Sequence, residues 1–432
     1  MKRKSTLAIA FATIFAGFLL ASCASAAEPS DQADSGVTPV AQSVSAEPAF
    51  VSDPSPDAKP AAKIVTGPAK ELADYRQECS RGQSGKVKVT LGWLPSWGGQ
   101  QWLDISLFPN GFAPGTFIGI GPFSEDRASF DWDGLVPGRI HYFRVNTLSS
   151  KGWEPSETLV FKTGRCQNGW VVETLEPDFA ALQQRLQAAV DNYWSDGQFA
   201  VAVTDLQTGD TIGVNSSRPQ LSGCVMNWFV ILQSVLDVQN GTLPESEVGD
   251  LIATTIWGSV SVTARQLYEI VGGGSTVAGV GKVSRLIASL GLLNTIIDHP
   301  PGYDGDYSLG VNSDNWITAT DANKALAQVY WGQVLELPWR DYLLEKMEGV
   351  KPGLQYLIGS TPGGIVSHKN GFFASSGYID NDIGIVRFNR GSVTYAYAIS
   401  FFSQDVPSKY ADISLGQDII EEVWQYFSTK YQ

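Results

Sequence analysis

The chain has 432 residues, 43% of them hydrophobic and 11% aromatic, enough apolar material for two or three packed domains. A formal charge of −14 without any Lys/Arg cluster excludes nucleic acid as the natural partner. Three widely separated histidines give no metal-ligand spacing, and nothing in the composition calls for a cofactor.

In chain order, Lys2, Arg3 and Lys4 form a basic head, Ser5 to Leu20 is an almost uncharged apolar run, and Leu20-Ala21-Ser22-Cys23 closes it. This is the three-part layout of a secretory signal, and the run is too short to span a bilayer comfortably. The small residues before the cysteine resemble a bacterial lipobox. The resemblance implies that residues 1–22 are a signal peptide, that lipid on Cys23 anchors the chain to a bacterial membrane, and that the rest is exported to its extracytoplasmic side. Residues 23–72, rich in Ala, Pro, Ser, Asp and Glu, are too poor in large apolar residues to bury a core and are expected to form a disordered tether.

From 73 to 168 short alternating runs are separated by Gly/Pro/Asn turns: Val87 to Leu91, Trp102 to Phe108, His141 to Val145 and Thr158 to Phe161. Such spacing predicts an antiparallel β-sandwich. Trp93, then Leu135-Val136-Pro137-Gly138 leading into Tyr142-Phe143-Arg144-Val145, resemble a fibronectin type III domain, which implies a spacer or weak binding surface. Cys79 and Cys166 bracket this segment, and an oxidising compartment leads us to expect them to pair.

Residues 169–432 read as mixed α/β. Phe179, Leu182, Leu186, Ala189 and Tyr193 fall on one helical face, and Phe199 to Leu206 and Thr211 to Val214 form a hairpin around Gln207-Thr208-Gly209-Asp210. An apolar helix starts near Cys224 and further helical segments follow. Three strands come next (Gly364 to His368, Asp382 to Phe388, Val393 to Phe402), before a last helix bearing Leu415, Ile419, Val423 and Phe427. That order describes an antiparallel sheet with helices on its faces.

Specific stretches of this part resemble the class A β-lactamases and the related penicillin-binding serine hydrolases. They are Gly272-Gly273 before Ser284 to Leu292, Asn315-Trp316-Ile317-Thr318-Ala319-Thr320-Asp321, and His368-Lys369-Asn370-Gly371 followed by Asn381-Asp382-Ile383-Gly384. The resemblance implies chemistry resting on Ser-x-x-Lys, Ser-Asp-Asn and Lys-Thr-Gly motifs, the last binding a substrate carboxylate. No lysine in the chain has a serine three residues before it. The matching helix start is Gly223-Cys224-Val225-Met226-Asn227, so Cys224 takes the nucleophile's position and Asn227 that of its amine partner. An amide cannot accept a proton as an amine does. The second motif falls on Ser259-Val260-Ser261, and no glutamate lies between Ser259 and Thr318 except Glu269. The third is the best kept, as Lys369-Asn370-Gly371. Literal Lys162-Thr163-Gly164 and Ser313-Asp314-Asn315 stand at the wrong places in the chain order.

The function expected is therefore a membrane-anchored protein whose β-lactamase-like domain is catalytically impaired and binds a cell-wall peptide, a glycan or an envelope protein. Two alternatives remain: a hydrolase with Cys224 as nucleophile, assisted by Lys369 or Ser259, and a purely structural spacer. No nucleophile elbow, His-Glu-x-x-His or phosphate loop suggests other chemistry.

Overall fold

The computed structural model describes residues 67–432 except 82, 84, 96–98, 110–111, 114–115, 304 and 375–376. The signal segment, Cys23 and the tether as far as residue 66 lie outside the described residues. Among those described, no helix is long and apolar enough to cross a membrane.

Ten short strands open the described chain: β1 (Lys70–Cys79), β2 (Val87–Leu94), β3 (Gln101–Ser106), β4 (Phe117–Phe123), β5 (Ser129–Leu135), β6 (Ile140–Ser149), β7 (Gly152–Pro155), β8 (Leu159–Lys162), β9 (Arg165–Gln167) and β10 (Trp170–Val172). β1 thus begins within the stretch whose composition reads as tether. One sheet runs β1-β2-β5 and another β4-β3-β6-β7, with β8 also on β6. All pairings are antiparallel. Alternation drives the packing: Val87, Val89 and Leu91 point inward from β2 and meet Leu103, Phe143 and Val145 from the other sheet, with Trp93 and Trp132 filling the same core. Cys79 and Cys166 form a disulfide, their Cα atoms 5.6 Å apart across 87 residues of sequence.

The rest of the chain is built around a five-stranded antiparallel sheet, in the order β12 (Thr211–Val214), β11 (Gln198–Asp205), β17 (Val393–Gln404), β16 (Tyr378–Arg390), β15 (Ile365–Ala374). Helices α1 (Pro177–Asp191) and α8 (Ile413–Lys430) cover one face. There Phe179, Leu182 and Leu186 join Leu415, Ile419, Val423 and Phe427 against Val201, Val203, Ile399 and Phe401. The other face meets α2 (Asn227–Gln239), α3 (Glu245–Gly258), α4 (Ser261–Val271), α5 (Thr276–Ser289), α6 (Ala319–Tyr330) and α7 (Leu337–Glu348). Between α1 and α6 the short strands β13 (Gln220–Leu221) and β14 (Trp316–Ile317) pair with each other. α2 is buried almost all round, as a helix does when packed centrally among others. Thr318 caps α6, its hydroxyl accepting from the Asp321 amide at 3.0 Å.

Candidate active site

The site forms where three separate segments meet at the edge strand β15. The first is the turn before α2. The chain enters it through Leu221 and Ser222, whose carbonyls accept at 2.8 and 3.1 Å from the side-chain amide of Asn381 on β16. Residues Gly223–Met226 then make a 3₁₀ turn that runs into α2. Cys224 is 2% exposed in this turn, and there is no free cysteine among the described residues. Asn227, the first residue of α2, is fully buried, and neither polar atom of its amide finds a hydrogen-bond partner among the described residues.

The second segment is the α3–α4 junction. Ser259 ends α3 in the left-handed conformation, φ +55°, a position that costs a non-glycine residue about 1–3 kcal/mol unless its surroundings hold it. Its surroundings do hold it. The Oγ donates to the Asn370 carbonyl at 3.2 Å and accepts from the Lys369 ammonium at 2.5 Å. Ser261, two residues on, is the first residue of α4 and stands outside this pair.

The third segment is β15 itself. Lys369 lies opposite Ile383 and Asn370 opposite Asp382 in the β15–β16 ladder. Alternation therefore sends Lys369, like Ile383, to the face covered by α2–α7 and Asn370 to the opposite one. The Lys369 Nζ is fully buried and also donates to the Asn370 carbonyl at 2.5 Å. Burial pulls its ionisation down from 10.5 to about 7, against an opposing pull from the Asp382 carboxylate. Asn370 thus serves the pair through its backbone, while its side-chain oxygen has no partner among the described residues. Gly371 permits the close approach of strand and turn. A Cβ there would stand 2.6 Å from the Val225 nitrogen and 2.8 Å from that of Cys224.

So the fold brings Ser259 and Lys369, 110 residues apart, into direct contact, with Gly371 against the Cys224 turn. Sequence reading missed the polar support behind them. His368 Nδ1 is 3.0 Å from both carboxylate oxygens of Asp382, whose Oδ2 also accepts from the Ile358 amide. Next to it, burial raises Asp380 to about 8, with the Asp412 carboxyl adding to the rise and a hydrogen bond from Tyr356 opposing it. The signal was present as three consecutive polar residues, Asp380-Asn381-Asp382, near the start of a strand whose middle is apolar.

The other sequence landmarks lie elsewhere. Glu269 pairs on the surface of α4 with Arg265 at 2.8 Å. Asn315 knits the loop before α6, its side chain accepting from the Asp298 amide at 2.7 Å and donating to the His299 carbonyl at 2.8 Å. No group of three or more His, Cys, Asp or Glu among the described residues is placed to hold a metal.

The fold is thus an antiparallel sheet between a helical pair and a helical subdomain, with a serine–lysine contact at the edge strand. A family model described as "Beta-lactamase enzyme family" matches residues 244–427. Over that stretch, somewhat under half of the chain, the C-terminal region is β-lactamase-like. Similar solved structures include the TLA-3 extended-spectrum beta-lactamase, 18% identical, covering 57% of this chain and 98% of that one at a TM-score of 0.49. PBP-A is 17% identical, covering 59% and 100% at 0.48. A class A beta-lactamase from Bacteroides cellulosilyticus DSM 14838 is 19% identical, covering 58% and 98% at 0.49. No curated protein matches the chain.

Proposed function

We propose that this domain binds the carboxylate end of a cell-wall peptide and does not open an acyl bond. The observation that carries this reading is the combination of a kept Lys369–Ser259 contact with an amide, Asn227, at the amine partner's position. Without a proton acceptor one helical turn along, the nucleophile's position lacks its activating base. The Ser259 hydroxyl is held in place by this contact, donating to the Asn370 carbonyl and accepting from Lys369. Lys369 itself suits recognition. A ligand carboxylate arriving beside a buried amine held near 7 favours its charged form, so binding takes up a proton and weakens as pH rises above about 7. A carboxylate selects a peptide end over a neutral glycan.

On the same reading the chain is exported, anchored through lipid on Cys23, and carries a fibronectin type III-like sandwich between the tether and the binding domain. Supporting this are the basic, apolar and small-residue series before Cys23, and the two-sheet sandwich over β1–β8. The test is calorimetric titration with N-acetyl-Lys-D-Ala-D-Ala and with its C-terminal amide. Binding of the acid, lost in the amide and in Lys369→Met, is expected. Equal binding of acid and amide overturns the assignment.

A further inference from the structure

The literal Lys162-Thr163-Gly164, out of place for chemistry, and the hairpin turn Gln207-Thr208-Gly209-Asp210 face each other in the fold. We propose that they are the two halves of a fixed interface that locks the sandwich onto the C-terminal domain, so that the described chain is one rigid body and not two modules swinging on a linker. This inference stands apart from the ligand assigned above.

Asp210 is the centre of the interface. Only 5% exposed, it accepts from Lys162 at 2.6 Å with one oxygen and from Arg165 at 2.9 Å with the other, both cations belonging to the sandwich. Burial alone would raise this carboxyl, but the hydrogen bonds from Arg165 and Lys162 override it and hold the carboxyl below its ordinary value. A backbone bond crosses the same boundary, from the Ile140 amide to the Gln207 carbonyl at 2.9 Å. Gly209, at φ +69°, fits beneath Ile140, where a Cβ would stand 3.0 Å from the Ile140 Cδ1. A buried carboxylate with two charged donors is among the stronger polar arrangements available to a surface between domains.

The sandwich side is itself stiffly built. Thr163 is fully buried and donates to the Val136 carbonyl at 2.7 Å, and Gln77 of β1 brackets the turn, donating to the Lys162 carbonyl at 2.7 Å and accepting from the Gly164 amide at 2.9 Å. The disulfide joins the end of β1 to Cys166, the residue next to Arg165. β1, the first described strand, is thereby tied covalently to the interface. From Arg165 the charge contacts continue through Glu176 to Lys430 at the end of α8, and from Lys430 to Asp205 at the end of β11.

The test uses the full chain, small-angle scattering and trypsin, which cuts after Lys162 and Arg165 only when the interface opens. Asp210→Ala is expected to enlarge the radius of gyration and to speed cleavage after Arg165 on the order of tenfold or more, the worth of one lost charged hydrogen bond. Lys162→Met with Arg165→Met, made on the opposite side, is expected to enlarge the radius of gyration equally, while circular dichroism shows both domains folded. Wild-type dimensions and trypsin resistance in Asp210→Ala overturn the proposal. So does expansion in Asp210→Ala alone, since that would reflect a broken turn and not a broken interface; if Asp210→Ala does not fold, the paired methionine variant decides.

Discussion

Replacing Lys369 by methionine removes a buried amine while keeping most of its volume. The drop from 10.5 to about 7 corresponds to roughly 5 kcal/mol at a little over 1 kcal/mol per pH unit, the penalty for charging the amine inside the fold. Against that stands the loss of the hydrogen bonds to Ser259 and the Asn370 carbonyl, about 1–3 kcal/mol for polar groups left behind. The sign follows from proton counting. Between pH 7 and 10.5 the folded chain binds fewer protons at this site than the unfolded one, so wild-type stability climbs with pH across that window, and methionine has no such term. The variant is therefore expected to be more stable than wild type by about 2–4 kcal/mol at pH 6, with the two curves crossing near about pH 9. Urea unfolding followed by circular dichroism reports this, because every described helix lies in the C-terminal domain. A variant less stable at pH 6, or a difference that does not change with pH, would mean that Lys369 is not a destabilising buried amine. The same variant losing peptide binding would show a residue kept for function at the expense of stability.

Two further outcomes concern the frame around the site. Replacing both Cys79 and Cys166 by serine opens a link spanning 87 residues and is expected to lower the sandwich's stability by about 4 kcal/mol, read as a fall in its melting temperature that reductant reproduces in wild type. Thr318→Ala removes the cap of α6 and is expected to lower the stability of the C-terminal domain by about 1 kcal/mol in urea unfolding, with Thr318→Ser close to wild type.

Much of the frame was legible because local rules agreed with the fold. Alternation in Val87, Val89 and Leu91 marked a half-buried strand, and the spacing of Leu415, Ile419, Val423 and Phe427 marked α8. The site was legible only in part. Resemblance located Lys369 and Ser259, but their contact depends on β15 pairing with β16 in one register and on Ser259 adopting a left-handed backbone, neither of which is a local property. Asn370 stands inside the Lys369-Asn370-Gly371 motif, yet what it gives the pair is its carbonyl, a consequence of strand alternation. Asn381, which holds the Cys224 turn against the sheet, acts across about 160 residues of sequence and left no local trace beyond being polar in a strand. Likewise Lys162-Thr163-Gly164 matched a motif by letters, while its partner Asp210 lay in a turn 48 residues away.

A site that recognises without acylating leaves a β-lactam ring unopened. Incubating the purified chain with a fluorescent penicillin and measuring its intact mass tests this most directly. An unlabelled protein of unchanged mass is expected, since Asn227 offers no base to an attacking group at the Cys224 turn and the Ser259 hydroxyl is bound to the Asn370 carbonyl and Lys369. A covalent adduct mapping to Cys224 would contradict it in favour of a thiol nucleophile, and one mapping to Ser259 would contradict it in favour of a serine activated by Lys369.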